Sequence, residues 1–257
     1  FILDQFGVLH DGSTPYPGVL DCLFELHKSG KKIVILSNSG KRTRNNERRL
    51  EKLGFKAGAW NLFLSSGEVA WRSLASGSAH RSCFLISRDD DRSAVEGLAL
   101  ELAGSPEKAD VILLTASEGD RFELSHYERL LSGAAQRGVP CLCTNPDKVM
   151  LTALGQKFGA GRIAELYAKM GGPVTFVGKP YPAIYEAALS AMGNPDRSRV
   201  ICIGDSIEHD ISGAASAGLS SALVRTGIHA DASQTLLNEE YNRHNARPDF
   251  ILPGLVW

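Results

Sequence analysis

Short, continuously apolar runs alternate along this chain with stretches whose apolar positions recur at i, i+3, i+4 and i+7. The runs at 1–4, 33–37, 62–65, 83–87, 111–115, 139–144, 174–177, 200–204 and 221–224 are rich in Val, Ile and Leu and predict buried strands. Between the first two, Val19, Leu20, Leu23, Phe24 and Leu26 form one face of a helix. It stops at Lys28-Ser29-Gly30, a basic last turn followed by a capping glycine. The same spacing predicts helices over 44–53, 94–103, 126–135, 162–170 and 183–192. Such alternation gives an α/β fold of parallel sheets, joined by right-handed crossovers and covered by helices on both faces. Ligands in these folds sit outside the carboxyl ends of the strands, so the residues that follow each strand are the candidates for chemistry.

The bulk composition narrows the class. A chain of 257 residues holds one large domain or two modest ones, and 43% hydrophobic with 22% charged residues is globular. Lys and Arg number 28 against 29 Asp and Glu, so the basic surplus of a nucleic-acid binder is missing. No apolar run approaches the roughly 18–20 residues that span a bilayer. Five cysteines, an odd number lying in or beside apolar runs, predict buried free thiols in a reducing compartment. With no Asn-x-Ser/Thr sequon, the expected location is intracellular and cytoplasmic. Phe1 stands where a Met would begin a chain, already inside an apolar run. An upstream segment is therefore expected, and an organelle leader within it stays open.

Four strand ends carry reactive groups. The first gives Asp4-Gln5-Phe6-Gly7, a carboxylate at the end of a buried strand, suited to a nucleophile or a metal ligand. The second gives Ser37-Asn38-Ser39-Gly40, small donors for an anion at a helix N-terminus. After the seventh stands Gly178-Lys179-Pro180, a point charge for a phosphoryl group. After the eighth, Gly204-Asp205-Ser206-Ile207-Glu208-His209-Asp210 sets two carboxylates about a turn, as a hard cation requires. His209 is expected to serve as a structural hydrogen-bonder. Gly40-Lys41 is no Walker loop, because Ile35 stands where that motif needs glycine, and Gly159-Ala160-Gly161 follows no clear strand. The charged run at 88–92 predicts a solvated loop that caps the helix after it.

The succession Asp, Ser-Asn, Lys, Asp-x-x-x-x-Asp, each at a strand end, resembles the haloacid dehalogenase superfamily over nearly the whole chain. Thirty-three positions separate Asp4 from Ser37, too few for an inserted domain, whereas 142 separate Ser37 from Lys179. That interval also holds Thr144-Asn145-Pro146-Asp147, which is similar to a signature of the class IIA cap. The resemblance implies a Rossmann-like core over 1–81 and 174–257 and an α/β cap over 82–173. It implies a Mg²⁺-dependent phosphatase of small phosphorylated metabolites, with Asp4 as nucleophile and Ser37 and Lys179 on the phosphoryl oxygens. Asp4, the Phe6 carbonyl and Asp205 would hold Mg²⁺, with Asp210 supporting the metal and steadying Lys179. Gly7, Ser37, Asn38, Ser39, Asn145, Asp147 and Lys179 would line the substrate, with the loop 88–92 near it. The implied protein partner is a second copy, through the cap; nucleic acid and membrane are not expected.

The sequence departs from the family at one place. Phosphatases of the superfamily carry a second Asp two residues after the nucleophile, as acid and base; here it is Phe6. A positioned acid–base group is worth about 10²–10⁴ in rate, so slow turnover is expected, with His10 as a substitute base to be tested. Two other readings stay open: a phosphate-binding or regulatory protein with little turnover, and a dehalogenase, whose first motif also carries an aromatic residue here. Against the dehalogenase stand the position of the cap and the acidic motif at 204–210.

Overall fold

The computed structural model describes residues 1–77, 81–152 and 155–257 and divides into two units. The chain opens with strand β1 (Ile2–Leu3), helix α1 (Val19–Lys28), β2 (Val34–Ser37), α2 (Thr43–Lys52) and β3 (Leu62–Ser65). Next come α3 (Ser66–Ser76), β4 (Ser82–Ile86), β5 (Glu101–Leu102), β6 (Val111–Leu114), α4 (Leu124–Gln136) and β7 (Cys141–Cys143). A two-stranded antiparallel pair, β8 (Val149–Thr152) and β9 (Gly155–Phe158), precedes α5 (Ala160–Lys169) and β10 (Val174–Phe176). The chain ends with α6 (Pro182–Ala191), β11 (Ile201–Gly204), a π-helical turn over Ile207–Ile211, α7 (Ser212–Ser216), β12 (Ser220–Val224), α8 (Gln234–His244) and β13 (Phe250–Leu252).

The first unit comprises 1–37, 44–64 and 179–257. Its six-stranded sheet runs β13-β12-β11-β1-β2-β3, and β1 pairs in parallel with both β2 and β11. Leu3 stands beside Ile35 on one side and Ile203 on the other. The residues that follow these three strands therefore emerge together at one sheet edge. Leu3, Val19, Leu23, Ile35, Leu50, Phe63 and Ala222 are buried in one core against the sheet, and Ile207, Leu223, Leu237 and Tyr241 form another. The second unit comprises 38–43 and 65–178. Its sheet runs β10-β7-β6-β4-β5, with parallel pairing throughout, over cores centred on Ile112, Tyr127, Leu131 and Tyr167 and on Cys83, Val111 and Leu113.

The expected edges of the two segments shift. Strand β10 pairs with β7 (Val174 beside Cys141) and so belongs to the second unit, which extends to residue 178. Helix α3 lies in that unit as well, ahead of the expected start at 82. The helix expected over 94–103 is replaced by turns and by β5, where Glu101 and Leu102 pair in parallel with Ser82 and Cys83. Gly97 interrupts the segment with a φ of 78°, a left-handed conformation that a helix interior does not use. The run 88–92 consequently caps no helix. Instead Arg88 forks onto Asp120 with two 2.7 Å bonds, and Asp91 accepts from Ser93 N at 2.9 Å. No helix among the described residues is long and apolar enough to cross a membrane.

Candidate active site

Asp4 follows β1 directly, and its backbone N–H donates to Ile203 O at 2.9 Å, which ties the strand end to β11. Asp205 follows β11, and Ser37 closes β2. Lys179 is buried and extends Nζ between two carboxylates, 2.6 Å from Asp4 Oδ1 and 2.6 Å from Asp210 Oδ1. Its peptide bond to Pro180 is cis, and Pro182 opens α6 two residues on. Asp210 is carried by the π-helical turn, where its other oxygen accepts from Ser206 N at 3.0 Å. Asp205 Oδ2 accepts from Ile228 N at 2.8 Å.

Three glycines make room for these carboxylates. A methyl group built on Gly7 or Gly227 would overlap the Asp205 carboxylate, and one on Gly204 would overlap that of Asp210. Gly7 also has φ of 88°, open to glycine at little cost, and its carbonyl accepts from Thr226 Oγ1 at 2.7 Å. Asp4, Asp205 and Asp210 each offer an oxygen within 4.8 Å of the others. Burial, then the carboxylates of Asp4 and Asp210, push the Asp205 carboxyl well up. Burial does the same to Asp4, only partly offset by Lys179. For Lys179 burial alone would lower the pKa, but Asp210 and Asp4 more than reverse it and keep the ammonium charged.

This donor set fits a hard divalent cation. Three crowded carboxylates face one ammonium, so charge of the opposite sign is still wanted, and all the donors are oxygens. Asp4 and Asp205 would hold the ion, with Asp210 beside it. Phe6 could contribute only its carbonyl oxygen, since its side chain has no donor atom; the residue is 41% exposed and its ring stands edge-on to His10, centroids 5.7 Å apart.

The remaining expected site residues lie mostly in the second unit. Asn38 Nδ2 donates to Asp147 Oδ1 at 2.9 Å, and Asp147 N donates to Asn145 Oδ1 at 3.2 Å, so these three are joined in one chain of bonds. Thr144 ahead of them is buried, its Oγ1 donating to Leu114 O at 3.3 Å and its carbonyl accepting from Ser66 Oγ. The Ser39 hydroxyl accepts from Lys41 N at 3.3 Å and its carbonyl from Gly67 N at 3.0 Å. Gly159 and Gly161 pack against the backbone at Asp147 and Pro146, which is a reason for glycine that needs no cofactor.

His209 is a structural hydrogen-bonder, with Nδ1 3.1 Å from Ser206 Oγ. His10, the substitute base to be tested, is fully buried. Its Nδ1 accepts from Gly12 N at 2.9 Å, its Nε2 lies 3.1 Å from the Gln5 amide, and burial lowers its pKa to about 4. Sequence reasoning passed over Thr226-Gly227-Ile228. The signal was available, because this tripeptide lies just beyond the end of β12.

The arrangement can be compared with known proteins. Residues 1–101 match the family model described as haloacid dehalogenase-like hydrolase, and 176–257 match a second described as HAD-hydrolase-like. The dihydroxyacetone phosphatase of Corynebacterium glutamicum (strain R) is 28% identical over 100% of this chain and 89% of its own. The sugar-phosphatase AraL of Bacillus subtilis (strain 168) is 29% identical over 93% of this chain and 88% of its own. Among solved structures, the p-nitrophenyl phosphatase of Archaeoglobus fulgidus superposes with a TM-score of 0.80 at 28% identity, covering 99% of this chain and 95% of that one. The two models take in the segments that carry Asp4, Lys179, Asp205 and Asp210, and on these matches the chain belongs to the haloacid dehalogenase-like hydrolases and fits their class IIA.

Proposed function

We propose that this chain is a Mg²⁺-dependent phosphatase of small phosphorylated metabolites that works through an aspartyl-phosphate on Asp4. One observation carries the reading: a strand-end carboxylate sits 2.6 Å from a buried lysine and within 4.8 Å of two further carboxylates. Asp4 attacks phosphorus. Lys179, charged and fixed by Asp210, and the Ser37 hydroxyl neutralise the phosphoryl oxygens, since positioning and charge carry most of phosphoryl transfer. Mg²⁺ held by Asp4, the Phe6 carbonyl and Asp205 would supply the remaining positive charge. The second unit is the cap in this reading, with Asn38, Asn145 and Asp147 as its contribution to substrate binding. That the relatives are named phosphatases of dihydroxyacetone, sugar and nitrophenyl substrates supports the substrate class.

The test is phosphate release from nitrophenyl phosphate with and without Mg²⁺, in the native chain and in Asp4→Asn. Metal-dependent release lost in Asp4→Asn is the expected result. Release that survives Asp4→Asn would refute the nucleophile. Phe6 favours one second reading, a protein that binds phosphate with little turnover; tight phosphate binding without metal-dependent release would select it.

A further inference from the structure

The loop after β1 offers no base for the second half of this chemistry. Phe6 replaces the carboxylate that phosphatases of the family use, and a hydrocarbon ring accepts no proton. The Nδ1 lone pair of His10 is taken by Gly12 N, and the ring is shut away from solvent. Asp11 spends Oδ1 on Ser13 N and Thr14 N, both at 2.8 Å, and Oδ2 on the Thr14 hydroxyl. Both Asp210 oxygens are engaged, by Lys179 and Ser206 N. Asp205, within 4.8 Å of Asp4, accepts from Ile228 N and is a metal ligand in the phosphatase reading, so these carboxylates and this imidazole are all committed elsewhere.

We propose that the phosphoryl group stays on Asp4, the aspartyl-phosphate forming faster than it is hydrolysed and so accumulating while substrate lasts. The inference rests on the phosphatase reading above. In the first step an Asp4 oxygen bonds to phosphorus as the bond to the leaving oxygen breaks. That oxygen keeps the electron pair, and an acidic leaving group such as nitrophenolate or a carboxylate departs without a proton. In the second step a water oxygen bonds to phosphorus, the bond to Asp4 breaks with its pair returning to the carboxylate, and the proton of the water must go to a base. Lys179 acts on the non-bridging oxygens in both steps alike, and a cation held by Asp4 and Asp205 would supply positive charge to both, so neither restores the balance. The same imbalance sets the substrate class: phosphates of acidic leaving groups, acyl, enol or aryl, ahead of those of ordinary alcohols.

The native chain is mixed rapidly with nitrophenyl phosphate and Mg²⁺ and quenched in acid, and both nitrophenol and intact mass are followed. The expected result is a burst near one equivalent per site and a mass gain of one phosphoryl group, mapping to the Asp4 peptide. Phe6→Asp should abolish the burst and raise the steady rate, toward the factor of about 10²–10⁴ that a positioned base supplies. Phe6 is 41% exposed and lies outside the buried cores, so this variant removes little beyond the edge-on contact with His10. Hydroxylamine needs no variant: its nitrogen bonds to the Asp4 carbonyl carbon, phosphate leaves, and a hydroxamate remains, stopping release. Linear release, no mass gain and indifference to hydroxylamine would overturn the inference while leaving the phosphatase standing. Absence of both release and phosphoryl adduct would overturn both.

Discussion

Asp205 is clasped between two glycines, and the clasp makes a test that backbone strain does not obscure. Gly7 has a left-handed φ, so Gly7→Ala would add strain of about 1 kcal/mol or more to any effect on the carboxylate. Gly227 has no such φ, yet a methyl there would overlap the same carboxylate. Gly227→Ala should therefore weaken Mg²⁺ binding by about 10–100-fold in calorimetry, the usual effect of disturbing what supports a ligand. Asp205→Asn should lower Mg²⁺ affinity further while the chain still folds; unchanged binding in either variant would remove Asp205 from the metal site. The charged residues of this centre were legible in the sequence, because Asp4, Lys179, Asp205 and Asp210 are polar groups at the ends of apolar runs. Their glycine supports were less so. Gly227 acts by what it lacks, and the close approach it permits arises only once β12 lies beside β11.

At the scale of elements, α3 shows how a short polar signal can be outweighed. Its opening, Ser65-Ser66-Gly67-Glu68, has the Ser-x-x-Glu spacing of a capping box. Only half the box is used. Ser65 Oγ accepts from Glu68 N at 3.0 Å and donates to Lys41 O at 2.7 Å. The Glu68 carboxylate turns instead to Arg42 at 2.6 Å, Arg72 at 3.3 Å and Thr43 N at 3.4 Å. Ser65→Ala should cost about 1–2 kcal/mol in urea unfolding, at the upper end for a cap because the bond to Lys41 goes too. Burial alone would raise the Glu68 pKa, but hydrogen bonding and charge from Arg42, then Thr43 N and Arg72, hold it below the ordinary value. A carboxylate depressed in the fold contributes stability above its unfolded pKa and loses it as pH falls through the folded one. The native chain should thus be more stable than Glu68→Gln at pH 6, with the gap closing below about pH 4. A gap that persists in acid would mean that packing, not charge, is what Glu68 supplies. The helix expected over 94–103 failed for a related reason: its local pattern was sound, but Gly97 and pairing of Glu101 and Leu102 with β4 prevailed.

For the whole molecule, the expectation of two units came from the family resemblance read with the spacing of its motifs, which leaves room for an insertion after Ser37 and none before it. It could not place the edges, because β10 looks like any buried strand until its partner is known. Each unit closes its own sheet over its own cores, and the five free thiols are shared between them. Cys22 on α1 and Cys202 on β11 belong to the first unit; Cys83 on β4 and Cys141 and Cys143 on β7 belong to the second. All five are buried, and burial pushes every thiol pKa up, to about 11 for Cys83 and about 12 for Cys143 and Cys202. A buried thiol with so little thiolate is inert until its core opens. Native protein should therefore resist Ellman's reagent, and pulsed alkylation in rising urea should label the thiols in two groups, Cys22 with Cys202 and Cys83 with Cys141 and Cys143. Each group of thiols lies buried within its own unit, so the two groups should become reactive at different urea concentrations. Simultaneous labelling of all five at one midpoint would show that the units unfold as one. Labelling of Cys83 together with Cys22, ahead of Cys141, would break the division itself.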